Sequence, residues 1–315
     1  MTSQAEQLRP LTIVGGSEGS GKSSLLRHQL LRGSCRGLAV VVSNLDSLQL
    51  EASDIVSRDS THMTLANGSM CWETNGDVTT TLATMRKHIA PSTHVMLEAR
   101  HDVSLRGVAG YGYTPGYRLD GIVVVADAKS LNGADMEPAA LTRMRNHIDN
   151  AEILVINKVD LLGDRRPQSL REAIGSPKHN GRAIQTCRGR VPSPLLLGVR
   201  PGEAECEDRA MPASWKTSFR PPPKRGASPA TAGEDEEPTF RVWTLSTTEP
   251  ITAHDFRHWV AHLPPTIVRA RGYALIADDR PYRYRFDLVG PHHHLQRDTP
   301  WGDHAAETRL ALVGV

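Results

Sequence analysis

The 315-residue chain is long enough for one sizeable α/β domain and a smaller second domain. A formal charge of +2, with 39% hydrophobic and 5% aromatic residues, suits a folded core and gives no reason to expect nucleic acid as a partner. No apolar run is long enough to span a bilayer, and residues 1–10 contain no apolar signal core, so we expect a cytoplasmic protein without a membrane partner.

The first half of the chain alternates short apolar runs with helix-compatible segments. Buried strands are predicted at Leu11–Val14, Leu38–Val42, His94–Leu97, Gly121–Ala126 and Ile153–Ile156, and helices at Val78–Ile89 and Met136–Asp149. Strands that alternate with helices favour βαβ units. The sequence therefore predicts an α/β domain over residues 1–199, with a doubly wound, mostly parallel sheet.

The composition changes in the second half of the chain. Residues 200–238 are rich in proline and charge, which predicts a flexible linker. A helix is predicted at Ala253–His262, between strand-like runs at Thr239–Leu245, Ile267–Ile276, Tyr282–Val289 and Arg309–Val313. The three adjacent histidines His292–His294 are assigned to a turn. Residues 239–315 are thus expected to form a small α+β domain.

The clearest motif is a glycine-rich loop, Gly16-Ser-Glu-Gly-Ser-Gly-Lys-Ser23, between the first strand and a helix. Its spacing is that of a P-loop, in which backbone N–H groups surround phosphate oxygens at a helix N-terminus. The Lys22 ammonium would bind the terminal phosphates and the Ser23 hydroxyl would bind Mg²⁺. The predicted phosphate-binding residues are Gly16, Gly19, Ser20, Gly21, Lys22, Ser23 and Ser24.

A second motif, Asn157-Lys158-Val159-Asp160, follows the strand Ile153–Ile156. A carboxylate such as Asp160 can accept hydrogen bonds from the N1–H and amino groups of guanine, a donor pair that adenine lacks. Asn157 is expected at the other edge of the base, and the stem of Lys158 along its face. GTP is therefore the predicted nucleotide.

Glu98 closes the strand His94–Leu97, where P-loop proteins place the acidic residue that orients Mg²⁺ and its waters. Lys22 and Glu98 are accordingly the predicted catalytic residues of a GTP-hydrolysing enzyme. The P-loop taken alone also allows an ATP-dependent small-molecule kinase, but that alternative leaves the Asn157–Asp160 motif unexplained.

The order of these motifs resembles the CobW-type GTPases over nearly the whole chain. Gly16–Leu26 is similar to the family's GxxGxGKTTLL loop, and Asn67–Val78 to its NGCxCC…GDL segment. Trp259–Leu263 and Arg309–Gly314 look like parts of the family's C-terminal domain. The resemblance implies GTP and Mg²⁺ as cofactors, with Zn²⁺ or Co²⁺ as the metal handled. It also implies a protein client, bound through the C-terminal domain, in metal delivery or metalloenzyme activation.

This chain departs from the family pattern at three places. Near the expected first switch, the family's NExGxxxxD pattern is replaced by Asn44–Glu51. Ser69-Met70-Cys71-Trp72 retains one cysteine of the CxCC motif, so Cys71 is the candidate Zn²⁺ or Co²⁺ ligand. His62, His94 and His101 are candidate substitutes for the missing ligands. His101 also replaces the glycine that normally follows Glu98. By family resemblance, its loss is expected to affect hydrolysis or switching more than nucleotide binding. The alternative is a GTP-dependent regulatory or assembly module that recruits a protein partner without metal and with weak or no turnover.

Overall fold

A computed structural model describes residues 8–32, 37–74, 76–132, 137–162, 183–199 and 237–315. The chain forms two compact units, Met1–Ser193 and Pro194–Val315. The linker predicted at 200–238 falls almost wholly outside the described residues. None of the helices described is both long and apolar enough to cross a membrane.

The first unit is built on a mostly parallel sheet. Within the described residues its nine strands are ordered β3-β4-β5-β2-β6-β1-β7-β8-β9. The strands are β1 Arg9–Gly16, β2 Leu38–Val42, β3 Ile55–Arg58, β4 His62–Leu65, β5 Met70–Glu73, β6 His94–Glu98, β7 Tyr117–Asp127, β8 Ile153–Asn157 and β9 Ile184–Thr186. β1 lies parallel between β6 and β7. The predicted α/β fold class is confirmed.

Helices cover the apolar side chains of this sheet. They are α1 Lys22–Arg32, α2 Val78–Met85, α3 Leu105–Ala109 and α4 Pro138–Asn150. A further helix, α5 Ser193–Leu197, begins at the last residue of this unit and otherwise belongs to the second unit. Leu82 of α2, Leu105 of α3 and Met144 of α4 share one buried cluster with strand residues. α2 ends at Met85, four residues before the predicted end at Ile89. α4 begins at Pro138; its predicted start, Met136, lies outside the described residues.

An antiparallel extension at one edge of the sheet was not foreseen. β3 pairs with β4 and β4 with β5 in antiparallel register, and β5 then pairs in parallel with β2. Cys71, the candidate metal ligand, lies within β5 between Val40 and Met63 of the neighbouring strands. These strands are only four residues long, so they carry little apolar alternation.

The second unit contains an antiparallel sheet ordered β10-β14-β11-β12-β13. Its elements are β10 Arg241–Thr247, α6 Ala253–Ala261, β11 Ile267–Leu275, β12 Tyr282–Val289, β13 His292–Pro300 and β14 Thr308–Gly314. Phe256 of α6 packs edge-to-face on Phe286 of β12, with ring centroids 5.0 Å apart. The assignment of His292–His294 to a turn was wrong, because these residues begin β13 and pair with β12.

Candidate functional site

The carboxyl ends of five parallel strands meet at one edge of the first sheet. Val14 of β1 is opposite Glu98 of β6, and Gly16 at the end of β1 is opposite Val125 of β7. Asn157 at the end of β8 lies between Asp127 of β7 and Thr186 of β9. Chain order reverses at β1, between β6 and β7, and such a switch point opens a crevice for ligands at this edge.

The loop between β1 and α1 brings Lys22, Ser23 and Glu98 together. The Lys22 ammonium donates to the backbone oxygens of Gly16 and Ser17, at 3.0 and 2.8 Å. The Ser23 hydroxyl donates to Glu98 Oε1 at 3.4 Å. A cation, a hydroxyl and a carboxylate thus lie side by side at the start of a helix, as the sequence predicted for a phosphate and Mg²⁺ site.

Both charged groups of this cluster are partly removed from water. Burial lowers the pKa of Lys22, while the charges of Glu98 and Glu18 act in the opposite direction. Burial likewise raises the pKa of Glu98, against the Lys22 charge and the Ser23 hydrogen bond. An added charge of opposite sign next to each group would offset the cost of burying its charged form. A phosphate anion next to Lys22 and a divalent cation next to Glu98 would supply those charges.

The floor of the loop contains polar atoms without a hydrogen-bond partner among the described residues. They are the buried hydroxyl oxygens of Ser17 and Ser20. Buried hydroxyls normally find a partner, so these two oxygens point to a polar ligand that belongs in the loop. Gly19 and Ser24 complete the loop and the first turn of α1.

Asn157 joins the loop to the end of the sheet. Its side-chain amide donates to the Ser20 backbone oxygen at 2.9 Å, and its side-chain oxygen accepts from the Gly189 backbone N–H at 2.9 Å. A Cβ added to Gly21, whose φ is +99°, would lie 2.1 Å from the Asn157 amide nitrogen. The Asn157 amide, which was predicted to contact a base edge, connects the P-loop to the Gly189 loop through these two hydrogen bonds.

The rest of the second motif presents one unsatisfied oxygen. Lys158 has a positive φ of 63°, and its ammonium donates to Asp127 Oδ2 at 2.8 Å, which holds the stem of the side chain in place. Within the described residues, Oδ1 of Asp160 is buried and accepts no hydrogen bond. A buried carboxylate oxygen without a donor is costly, and the paired N–H groups of a guanine would remove that cost.

Three contributors to the site were missed by the sequence analysis. Asp127 accepts a hydrogen bond from Lys158, and Gly189 donates its backbone N–H to Asn157. His147 of α4 donates from Nε2 to the Val103 backbone oxygen at 3.2 Å, in the segment that follows Glu98. Burial is the main cause that lowers the pKa of His147. Only Asp127 had a signal in the sequence, because it directly follows a predicted strand.

The candidate metal ligands do not come together. His62 stacks on Trp72, His94 contacts the Thr12 hydroxyl at 2.8 Å, and His101 lies 3.7 Å from Glu18 of the P-loop. Burial raises the pKa of Cys71 to about 12, which disfavours the thiolate that a metal requires. No group of three or more His, Cys, Asp or Glu side chains suited to a metal occurs in the described ranges. The geometry therefore gives no support to Cys71 as a metal ligand.

Comparison with known proteins follows the same division into two units. Residues 10–181 match the family described as CobW/HypB/UreG, nucleotide-binding domain, and residues 240–315 match the cobalamin synthesis protein cobW C-terminal domain. The chain is 22% identical over 340 residues to the zinc chaperone CobW of Pseudomonas aeruginosa, covering 97% of this chain and 87% of the relative.

Two further similarities are weaker or shorter. The zinc-regulated GTPase metalloprotein activator 1 of Schizosaccharomyces pombe is 26% identical over 199 residues, which are 58% of this chain and 46% of that protein. The crystal structure of the Zn(II)-bound YjiA GTPase from E. coli aligns with a TM-score of 0.46 at 19% identity, over 98% of this chain and 94% of that one. Because the family match covers more than half of the chain and includes the whole P-loop region, this protein belongs to the CobW/HypB/UreG family of nucleotide-binding proteins.

Proposed function

We propose that the protein binds GTP and hydrolyses it to GDP and phosphate. The observation that carries this proposal is the bridge made by Asn157 between the phosphate loop and the Gly189 loop. Oδ1 of Asp160, three residues after Asn157, is buried and has no hydrogen-bond partner within the described residues, which supports its assignment to the same site as Lys22. A guanine nucleotide supplies both the N–H pair that Asp160 lacks and the phosphates that suit Lys22.

The residues present fit a magnesium ion, since a serine hydroxyl and a carboxylate oxygen are hard ligands of the kind Mg²⁺ prefers. Ser23 would bind it directly and Glu98 would orient its waters, and the ion would neutralise charge on the terminal phosphates. Lys22 would stabilise the negative charge that develops during phosphoryl transfer. Lys22 and Glu98 are thus the residues proposed for hydrolysis.

The test is a titration of the purified protein with GTP and with ATP, followed by turnover measurements. Lys22→Ala should abolish detectable binding of either nucleotide. Asp160→Ala should weaken GTP binding by about 1–3 kcal/mol, roughly five- to 150-fold, and leave ATP binding unchanged. If ATP binds the wild-type protein as tightly as GTP, the guanine assignment is wrong and a small-molecule kinase becomes the better reading.

We further propose that nucleotide turnover serves metal delivery or metalloenzyme activation, with Zn²⁺ or Co²⁺ as cargo and a protein client bound through the C-terminal unit. Support comes from the named roles of the relatives CobW of Pseudomonas aeruginosa and metalloprotein activator 1 of Schizosaccharomyces pombe. A cytoplasmic location is part of this proposal. Transfer of Zn²⁺ from the GTP-loaded protein to an apo-metalloenzyme would be the direct measurement.

A second function is favoured by one observation, the burial of Cys71 in β5 away from other candidate ligands. The protein would then be a GTP-dependent regulatory or assembly module that recruits a partner without metal. GTP-dependent capture of a partner that persists in a chelator would favour this reading. Turnover that rises on addition of Zn²⁺ or Co²⁺ and falls back with chelator would favour metal delivery.

A further inference from the structure

We propose that α6 carries an exchangeable divalent-metal site made by His258 and His262. The two residues are one helical turn apart on the exposed side of the helix, opposite Phe256 and Val260, which are buried. Side chains at positions i and i+4 lie above one another on a helix surface. The use of this site in metal delivery rests on the proposed function, whereas metal binding itself depends only on the helix.

The two imidazole rings are already spaced for one ion. Their centroids lie 4.3 Å apart with a 37° angle between the ring planes. With Zn–N bonds of about 2.0–2.1 Å and a tetrahedral angle, two imidazoles on one ion have centroids about 5 Å apart, so the rings need to move by about 1 Å. Side-chain rotations on an exposed helix allow a shift of that size.

A hydrogen bond leaves the correct nitrogen of His262 available. Nδ1 of His262 is 2.7 Å from the backbone oxygen of His258. A carbonyl oxygen only accepts, so Nδ1 must carry the proton and Nε2 presents its lone pair to solvent. Histidines that bind metals usually donate their other ring N–H to a carbonyl or carboxylate in this way, which fixes the ring and raises its basicity.

The electrostatic environment also suits a cation. α6 ends at Ala261 and His262 is its C-cap residue, so both imidazoles lie in the last turn, where the helix dipole favours positive charge. The N-terminal end of α6 is capped by Thr252, whose hydroxyl accepts a hydrogen bond from the Asp255 backbone N–H at 3.0 Å. Arg257 is the nearest cation in sequence and opposes binding, but its charge is exposed to solvent and screened.

Two protein ligands define what kind of site this is. Structural zinc sites use four protein ligands and catalytic sites three, and the part of the chain that the structure describes offers no such larger group. Water, or a ligand from a second protein, would complete the coordination, so the ion can be passed on. Imidazole nitrogens favour Zn²⁺, Ni²⁺ and Co²⁺ over Mg²⁺, which keeps this site distinct from the nucleotide site.

The experiment titrates the full chain with Zn²⁺ in the absence of nucleotide and maps histidine protection from diethyl pyrocarbonate by mass spectrometry. His258 and His262 should become protected together. In His258→Gln, half-protection of His262 should need at least about tenfold more Zn²⁺ than in the wild type. In His262→Gln, half-protection of His258 should need a similar increase. His304→Gln is the matched control, because His304 is exposed in the same unit but lies outside the helix, so its replacement should leave the protection unchanged.

Independent protection of His262 in His258→Gln would overturn the proposal, and so would equal protection of every exposed histidine, which would indicate adventitious binding. GTP affinity measured on the same variants should equal that of the wild type, which verifies that they are folded. Because the readout needs neither GTP nor a client, failure here leaves the nucleotide proposal intact. Normal protection without transfer to an apo-metalloenzyme would instead count against metal delivery.

Discussion

At the scale of single residues, the contact between Gly21 and Asn157 decides whether the nucleotide site forms. Gly21 has a φ of +99°, and the Asn157 amide occupies the space where a Cβ would be. The position thus combines a backbone conformation that L-residues avoid with a direct steric exclusion. Neither partner can change without moving the other.

We predict that Gly21→Ala weakens GTP binding by about 1–3 kcal/mol, roughly five- to 150-fold, because it strains the backbone and displaces the Asn157 amide. The control is Gly68→Ala in the β4–β5 turn, where φ is +80° and a Cβ would meet nothing within 4 Å. That variant should lose about 1 kcal/mol of stability and keep the GTP affinity of the wild type. Equal GTP affinities for the two variants would show that the Asn157 contact does not matter.

At the scale of elements, one buried arginine holds the end of α2. Arg9, at the amino end of β1, donates to the backbone oxygens of Arg86 and Ile89 at 3.1 and 2.9 Å. These carbonyls follow the last turn of α2, where backbone oxygens have no intrahelical donor. The contact is at the edge of the sheet opposite the P-loop, so it should affect stability without affecting the nucleotide.

We predict that Arg9→Met destabilises the first unit by about 1–3 kcal/mol, because two carbonyls lose a charged donor. For a unit of this size the thermal unfolding midpoint should fall by about 2–4 °C per kcal/mol, as measured by calorimetry. Lys87→Met is the comparison, since Lys87 is exposed close by and should change stability by less than about 0.5 kcal/mol. Loss of GTP affinity in Arg9→Met would contradict this division of roles.

The elements also show what the sequence could and could not predict. β2 is buried along its whole length, and its continuous apolar run Leu38–Val42 was predicted with the bounds observed. β3, β4, β5 and β9 have three or four residues each, so their strand character comes from pairing with neighbours rather than from local pattern. Tertiary context decided these elements.

The site divides in the same way. The P-loop and Asn157–Asp160 are local motifs, and the sequence alone identified them. The bonds from Asn157 to Gly189 and from Lys158 to Asp127 join segments about thirty residues apart, and only the sheet order makes them neighbours. The burial of Cys71 has the same origin, because it follows from the pairing of β5 with β2 and β4.

At the scale of the whole molecule, stability should decline in alkali. Burial raises the pKa values of Cys71 and of Tyr117 to about 12 each. The hydroxyl of Tyr117 donates to the Leu82 backbone oxygen at 2.7 Å. In the unfolded chain a thiol ionises near about pH 8.5 and a phenol near about pH 10. The folded state therefore keeps protons that the unfolded state loses, and this stabilisation is complete below about pH 8.5 and lost as the pH rises toward 12.

We predict that the unfolding midpoint of the wild-type protein falls progressively above pH 8.5, and that Cys71→Val reduces this fall between pH 8.5 and 10. The thiol accounts for at most about 1.4 kcal/mol per pH unit over that interval. Differential scanning calorimetry at fixed ionic strength is the measurement, with the wild type and the variant compared at each pH. Parallel pH profiles for the two proteins would show that the thiol ionises equally in the folded and unfolded states.

The bridge at Asn157 has a consequence for how this protein can evolve. Its amide ties the phosphate loop at Ser20 to the loop at Gly189, and it needs a glycine at position 21 beside it. Replacing Asn157 would remove the hydrogen bonds to Ser20 and Gly189 and leave the space beside Gly21 empty. A compensating substitution in the phosphate loop would then be needed to keep its conformation. If Asn157 contacts the base as predicted, base preference is coupled to the geometry of the phosphate loop, and positions 21 and 157 should vary jointly.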